Sequence, residues 1–76
     1  MMNNLTQESI KFLIARLLER GVEAVEESEA DPSNDFEAGR RTAYYEMLDI
    51  LQSELTIRDQ DLKEFGIDVN LEHKIA

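Results

Sequence analysis

The sequence predicts an all-α protein built as an antiparallel two-helix hairpin with a short C-terminal helix. Three observations lead to this fold class. Apolar residues recur at three- and four-residue steps through both halves of the chain, and a proline-containing segment separates the halves. Apolar positions of the two halves also face one another when the chain is folded back at that segment.

Size and composition limit what such a chain can be. Its 76 residues make a single domain, and a core of this size is usually marginal without added burial from a partner. The chain has no cysteine, so neither disulfides nor thiolate-bound zinc can supply stability. We therefore expect self-association.

The chain is strongly acidic, with 17 Asp and Glu residues against 8 Lys and Arg and a net charge of −9. Phosphate recognition draws on clustered cations, so we expect no direct binding to nucleic acid or to an anionic membrane. No apolar run approaches the roughly 20 residues that span a bilayer, and residues 1–4 lack the pattern of a signal peptide. The expected location is the cytoplasm.

The first helix is expected from about residue 7 to residue 29. Thr6 is a suitable N-cap, because its hydroxyl can accept a hydrogen bond from a free amide of the first turn. Eight small or apolar residues then form one wide face: Ile10, Leu13, Ile14, Leu17, Leu18, Gly21, Val22 and Val25. Charged residues lie largely on the other side.

A turn over residues 30–34 and a second helix over about residues 35–55 are expected next. Pro32 cannot continue the first helix but suits the first position of a new one, with Asp31 or Ser33 as its cap. The second helix carries two apolar rows, one with Phe36, Ala43, Met47 and Ile50 and the next with Tyr44, Leu48, Leu51 and Leu55.

Folding the chain back at the proline brings apolar residues of the two helices together. Residues equally distant from the turn then pair as Gly21 with Ala43, Leu17 with Met47, Ile14 with Ile50, and Ile10 with Leu55. The connection is short, which favours antiparallel neighbours. The two helices are therefore expected to form a hairpin with these four apolar pairs inside.

After the hairpin we expect a short helix over about residues 58–65. Thr56 and Asp59 resemble a capping arrangement, and Gly66 is a plausible stop. The alternative is that the second helix continues unbroken to Phe65, because apolar residues still fit one stripe.

Residues 66–76 are expected to be an extended tail. Apolar and polar residues alternate from Ile67 to Glu72, so one side of this segment is expected to pack against the hairpin. The last residues, 73–76, are expected to fray.

The best candidate for a binding site is the cluster of Arg40, Arg41, Tyr44 and Tyr45 on the second helix. Guanidinium groups bind phosphate or carboxylate at two points, and tyrosines add stacking faces and hydroxyls. The cluster therefore suits a small anion or the acidic tail of a partner.

The same side chains also have a structural interpretation. Glu23 and Glu27 lie at their height in the hairpin, and Glu37 lies one turn before Arg41 in the favourable order. Each arginine can also lie over the tyrosine four residues later. Exposed ion pairs of this kind contribute about 0–1 kcal/mol each, enough to align a hairpin.

Two glycines fall inside the predicted helices, Gly21 and Gly39, and each costs about 1 kcal/mol relative to alanine. We expect this cost to be offset by a close approach of the two helices at these positions, or by space there for the ring of Tyr44 or Phe36.

No residue pattern indicates catalysis, a metal or a cofactor. The seven carboxylates between Glu23 and Glu37 lack the ligand spacing and central glycine of an EF-hand loop, and His73 is the only histidine. No serine lies in a glycine-flanked elbow, and no glycine-rich phosphate loop is present. We therefore expect a protein that is not an enzyme.

Three functions are consistent with these observations. The amphipathic helices favour a non-enzymatic protein–protein interaction or regulatory module. The alternatives are an acidic DNA mimic that inhibits a basic partner, and binding of a small anionic ligand by the arginine–tyrosine cluster. Both helices have apolar faces wider than one neighbour covers, so a homodimer in the form of a four-helix bundle is expected. Its surplus residues are predicted to be Phe12, Leu18, Val22, Tyr45 and Leu48.

Overall fold

The computed structural model describes residues 6–76. They form three helices, α1 over Gln7–Ala30, α2 over Asp35–Ile57 and α3 over Leu71–Lys74, and this part of the chain contains no strand. The two long helices pack against each other as a hairpin, which confirms the predicted all-α fold class. Within residues 6–76, no helix is both long enough and apolar enough to cross a membrane.

Polar side chains cap the N-termini of both long helices. The hydroxyl of Thr6 accepts a hydrogen bond from the amide of Ser9 at 3.0 Å, which confirms Thr6 as the cap of α1. The cap of α2 is Asn34, whose side chain accepts from the amide of Glu37 at 3.2 Å. The expectation that Asp31 or Ser33 caps this helix was wrong.

Pro32 lies in the turn before α2 and is not the first residue of that helix. The amide of Asn34 donates to the carbonyl of Asp31 at 3.0 Å, which closes a four-residue turn with the proline in its second position. The fixed φ of proline suits that position as well as it suits a helix start. The turn therefore uses the proline, and α2 begins three residues later.

Helix α2 continues two residues beyond the predicted end and then stops. Asp59 takes a left-handed conformation with φ of 58°. The amide of Gln60 donates to Leu55 O at 2.9 Å and that of Asp59 donates to Thr56 O at 3.0 Å. These two bonds form a Schellman motif, which ends the helix and satisfies its last carbonyls. The alternative of one helix unbroken to Phe65 is therefore wrong.

The short helix predicted over residues 58–65 is absent, and the short third helix lies at residues 71–74. In its place is one hydrogen-bonded turn, in which the carboxylate of Asp61 accepts from the amide of Lys63 at 3.0 Å. The turn ends at Gly66, whose φ of 73° places it in the left-handed region, and Ile67 N donates to Leu62 O at 3.0 Å. Glycine adopts this conformation without steric cost, which confirms Gly66 as a stop signal.

The C-terminal segment, residues 58–76, folds back onto the hairpin and completes the core. Phe65, Ile67, Leu71 and Ile75 are buried together with Ile14 of α1 and Leu48 of α2. The predicted packing of one side is confirmed over residues 67–71, where the apolar residues point inward and the polar ones are exposed. Fraying of residues 73–76 is contradicted, because Ile75 is fully buried.

The row of α2 that faces the core is Tyr44, Leu48, Leu51 and Leu55. Of the residues predicted to pair with α1, Leu55 packs on the core, whereas Ala43, Met47 and Ile50 are exposed. A Cβ atom on Gly21 would lie 3.4 Å from Leu48 Cδ1 and 3.6 Å from Tyr44 Cβ, so Gly21 is beside Tyr44 and not Ala43. The predicted height was correct to within one residue, but the predicted face was wrong. The C-terminal segment accounts for this choice, because it packs on the Leu48 row from the other side. Leu48, assigned to the surplus, is therefore fully buried.

Candidate interaction surface

Arg40 joins the two long helices near the hairpin turn. Its guanidinium group donates hydrogen bonds to the carboxylates of Glu27 on α1 and Glu37 on α2, the latter at 3.0 Å. The same group lies 6.0 Å from the ring centroid of Tyr44, within the range of a cation–π contact. The hydrogen bond that Arg40 donates to Glu27, and secondly the one it donates to Glu37, raise the pKa of Arg40 above its usual value.

Arg41 holds the C-terminal segment against α2. Its Nε donates to the main-chain oxygen of Ile75 at 3.0 Å, and its Nη2 donates to that of Ala76 at 2.7 Å. About three turns further along α2, the side-chain amide of Gln52 donates to Ile67 O and Val69 O, both at 2.9 Å. These two side chains fix residues that are 15 to 35 positions away in the sequence.

Tyr44 and Tyr45 also have different surroundings. Tyr44 packs between the helices near Gly21, and Tyr45 packs on the core, close enough to Glu72 of α3 to be affected by its charge. Partial burial raises the pKa of Tyr45, and the carboxylates of Glu72 and Asp49 act in the same direction.

The structure therefore divides the predicted cluster into two pairs. Arg40 and Tyr44 face α1, whereas Arg41 and Tyr45 face the C-terminal segment. The expected partner Glu27 is present, but Glu37 pairs with Arg40 instead of Arg41, and Glu23 lies 3.4 Å from Arg20. Both guanidinium groups already have protein acceptors, which partly occupy their N–H donors.

The most distinctive surface is the outer face of α2, which consists of Phe36, Ala43, Met47, Ile50 and Ile57. All five are exposed, with exposed fractions of 73% for Phe36, 61% for Ile50 and 72% for Ile57. Phe36, Ala43, Ile50 and Ile57 follow one another at intervals of seven residues, so they form a single row along the helix. The sequence signal for this surface was the first apolar row, which had been assigned to the core.

The two helical glycines differ sharply in their surroundings. Gly21 is buried, and a Cβ atom there would lie 3.0 Å from Ile75 Cδ1, which confirms a close approach at this position. A Cβ atom on Gly39 would meet no atom within 4 Å, so no close approach occurs there. Gly39 lies beside the outer face of α2 and leaves that end of the helix narrow.

Helix α1 exposes a smaller apolar patch. Phe12 and Leu13 are 72% and 52% exposed, and a shallow depression beside Phe12 is lined by Glu8, Lys11 and Ala15. This patch covers about one turn, whereas the outer face of α2 extends along most of its helix. Within the part of the chain that the structure describes, no group of three or more His, Asp or Glu side chains could hold a metal ion.

Comparison of the chain with protein-family models, with curated protein sequences and with solved structures finds no match.

Proposed function

We propose that this chain is a non-enzymatic protein–protein interaction module and that the outer face of α2 is its contact surface. The observation that carries the proposal is the exposed row from Phe36 to Ile57. At 1.5 Å per residue, these 21 residue steps extend about 32 Å.

Exposed apolar rows of this length are unusual on a monomeric domain. Isolated exposed apolar residues are ordinary, but a contiguous apolar patch typically marks a surface that a partner covers. Burial of apolar area contributes roughly 25 cal/mol per Å², so four large side chains in one row supply a substantial driving force for association. A helix or a pair of helices with a complementary apolar face is the partner that suits this shape.

Two copies joined through this face would form a dimeric four-helix bundle, as the sequence predicts. The net charge of −9 per chain doubles to −18 in such a dimer and opposes association. The contact must therefore be mainly apolar, and added salt should strengthen it by screening the repulsion.

Replacing Ile50 by glutamate tests the proposed surface. The tagged chain would be cross-linked and purified from the cells that make it, as wild type, as Ile50→Glu and as Phe12→Glu. Phe12 is an exposed apolar residue on α1, so its replacement is a matched control for an added charge. We expect the wild type and Phe12→Glu to retain a bound polypeptide, either a second copy or another protein, and Ile50→Glu to lose it. Retention by all three chains would contradict the proposal.

A second candidate function is an acidic decoy for a basic protein. Its support is the exposed group of carboxylates at the hairpin turn, Glu26, Glu29, Asp31 and Asp35. Within residues 6–76, none of these four has an ion-pair partner. A complex held by these groups should weaken steeply as salt is raised, whereas an apolar complex through α2 should not.

A further inference from the structure

We infer that the partner for the outer face of α2 is a second copy of this chain, packed antiparallel about a two-fold axis at Met47. The inference rests on the function proposed above and identifies the occupant of that surface. It comes from two charged side chains, Glu54 in line with the apolar row and Arg40 at the edge of this face nearest α1. The Nη1 atom of Arg40 donates to Glu27 and Glu37, whereas its Nε and Nη2 atoms have no acceptor within residues 6–76.

The seven residues along this face alternate at steps of four and three, as in a helix–helix seam: Phe36, Arg40, Ala43, Met47, Ile50, Glu54 and Ile57. The order is symmetric about Met47. Arg40 lies seven residues before it and Glu54 seven residues after it, and an apolar residue occupies each of the other positions.

Antiparallel packing about Met47 sets the residues before Met47 opposite the partner's residues after it. Phe36 then lies opposite the partner's Ile57, and Ala43 lies opposite the partner's Ile50. Arg40 lies opposite the partner's Glu54, and the two-fold axis repeats that contact on the other side. The two copies thus place opposite charges together twice and apolar residues together elsewhere.

Other arrangements of the same two helices lack this match. Parallel packing in register sets Arg40 against the partner's Arg40 and Glu54 against the partner's Glu54. An antiparallel shift of about one turn sets each charge against an apolar residue. Charged residues in a helix–helix seam specify orientation and register in this way, because the mismatched alternatives leave a charge unpaired or repelled.

The ion pairs within each chain add to the match. Glu54 already pairs with Arg58 one turn later, and Arg40 pairs with Glu37 and with Glu27 of α1. In the antiparallel arrangement Arg58 falls opposite the partner's Glu37. Each end of the contact therefore brings together two cations, one from each chain, beside the carboxylates of Glu37 and Glu54. These pairs offset part of the repulsion between two acidic chains.

Exchanging the charges of Glu54 and Arg58 tests the arrangement without changing the net charge of −9. The variant Glu54→Arg, Arg58→Glu keeps an ion pair within α2, so the fold is retained, but it sets Arg40 against an arginine of the partner. The matched control is Lys63→Glu, Glu64→Lys, which exchanges two exposed charges on the C-terminal segment, away from the outer face.

Sedimentation equilibrium would give the dimer dissociation constant of each chain in moderate salt, with circular dichroism to verify folding. We expect a dimer for the wild type and the control, and a dissociation constant raised at least about 10-fold for the Glu54→Arg, Arg58→Glu chain, because two attractive contacts become repulsive. Mixing that chain with a Glu37→Arg, Arg40→Glu chain, which likewise keeps an ion pair within α2, should restore the wild-type affinity, since both cross-chain contacts are then attractive.

A wild-type dissociation constant that the exchange leaves unchanged would overturn the antiparallel arrangement. A wild-type chain that stays monomeric at high micromolar concentration would overturn self-association altogether. In that case, capture of a different polypeptide by the wild type and not by Ile50→Glu would preserve the interaction module with another occupant, so the two proposals fail separately.

Discussion

Replacing Gly21 by alanine tests how the C-terminal segment packs on the hairpin. A Cβ atom at this position would lie 3.0 Å from Ile75 Cδ1, and Ile75 is 54 residues away in the sequence. Alanine is favoured over glycine inside a helix by about 1 kcal/mol, whereas overpacking a core costs about 1–3 kcal/mol. We therefore expect the free energy of unfolding to stay unchanged or to fall by up to about 2 kcal/mol.

Ile75→Val removes the Cδ1 atom that the new methyl group would meet. Alone, this substitution should cost about 0.5–1.5 kcal/mol, the usual loss for a buried isoleucine. In the double variant the alanine methyl occupies the space that Cδ1 has left, so the gain in helix propensity is realised. The two substitutions should therefore be coupled by about 1 kcal/mol or more in favour of the double variant.

Urea unfolding followed by circular dichroism measures these free energies. All chains would carry Ile50→Glu, so that association through the outer face of α2 does not contribute. Gly39→Ala is the matched control, because its Cβ meets no atom within 4 Å. It should raise the free energy of unfolding by about 1 kcal/mol and add to Ile75→Val within about 0.5 kcal/mol. If Gly21→Ala behaved as the control does, the packing of Ile75 on α1 would be refuted.

Three further predictions concern the C-terminal segment and the arginine–tyrosine cluster. Arg41→Ala removes the hydrogen bonds to the main-chain oxygens of Ile75 and Ala76 and should lower the free energy of unfolding by about 1–3 kcal/mol. If amide exchange in α3 of this variant stayed as slow as in the wild type, Arg41 would not have this role. Phe65→Ala should lower the free energy of unfolding by about 3–5 kcal/mol, because Phe65 is buried. Phe12→Ala should change it by at most about 0.5 kcal/mol, because Phe12 is exposed. Equal losses for the two variants would contradict this difference in burial. In an ultraviolet pH titration one tyrosine should ionise above the ordinary value of about 10, and Tyr45→Phe should abolish that step. Because the raised pKa means that the native state holds this proton more tightly, the stability that Tyr45 contributes is fully present below the unfolded pKa and is lost as the pH rises through the folded pKa.

The hairpin is visible in the sequence because its signals are local. The apolar period, the Thr6 cap and the proline turn place α1 and α2 to within one or two residues of their ends. The pairing of Arg40 with Glu27 is also predictable, since it depends only on which residues lie at equal height. Each of these features follows from the geometry of two antiparallel helices.

The sequence of the hairpin alone does not determine which apolar row of α2 faces the core. Both rows are apolar, so periodicity alone cannot decide between Met47 and Leu48. The decision comes from residues 67–75, which pack on the Leu48 row and leave the Met47 row exposed. The hydrogen bonds of Arg41 to Ile75 and Ala76 depend on the same return of the chain, so the arginine–tyrosine cluster could not be divided correctly from the sequence.

The end of α2 was hard to predict for a different reason. Asp59 adopts a positive φ, which is uncommon for any residue other than glycine. No glycine marks this stop, and the following residues have enough helical character to suggest a helix. At Gly66, where a glycine is present, the stop was predicted correctly.

Disulfide cross-linking tests the antiparallel contact between two α2 helices most directly, because the chain has no cysteine of its own. Met47→Cys places one thiol at the proposed two-fold axis, opposite its counterpart and within the Cα separation of about 4.4–6.8 Å that a disulfide needs. Two Ala43→Cys thiols would be about 12 Å apart along the helices, the rise of eight residues, and out of reach. Under mild oxidation at micromolar concentration, we predict disulfide-linked dimers from Met47→Cys and none from Ala43→Cys. Cross-linking of Ala43→Cys, or of neither chain, would contradict the account.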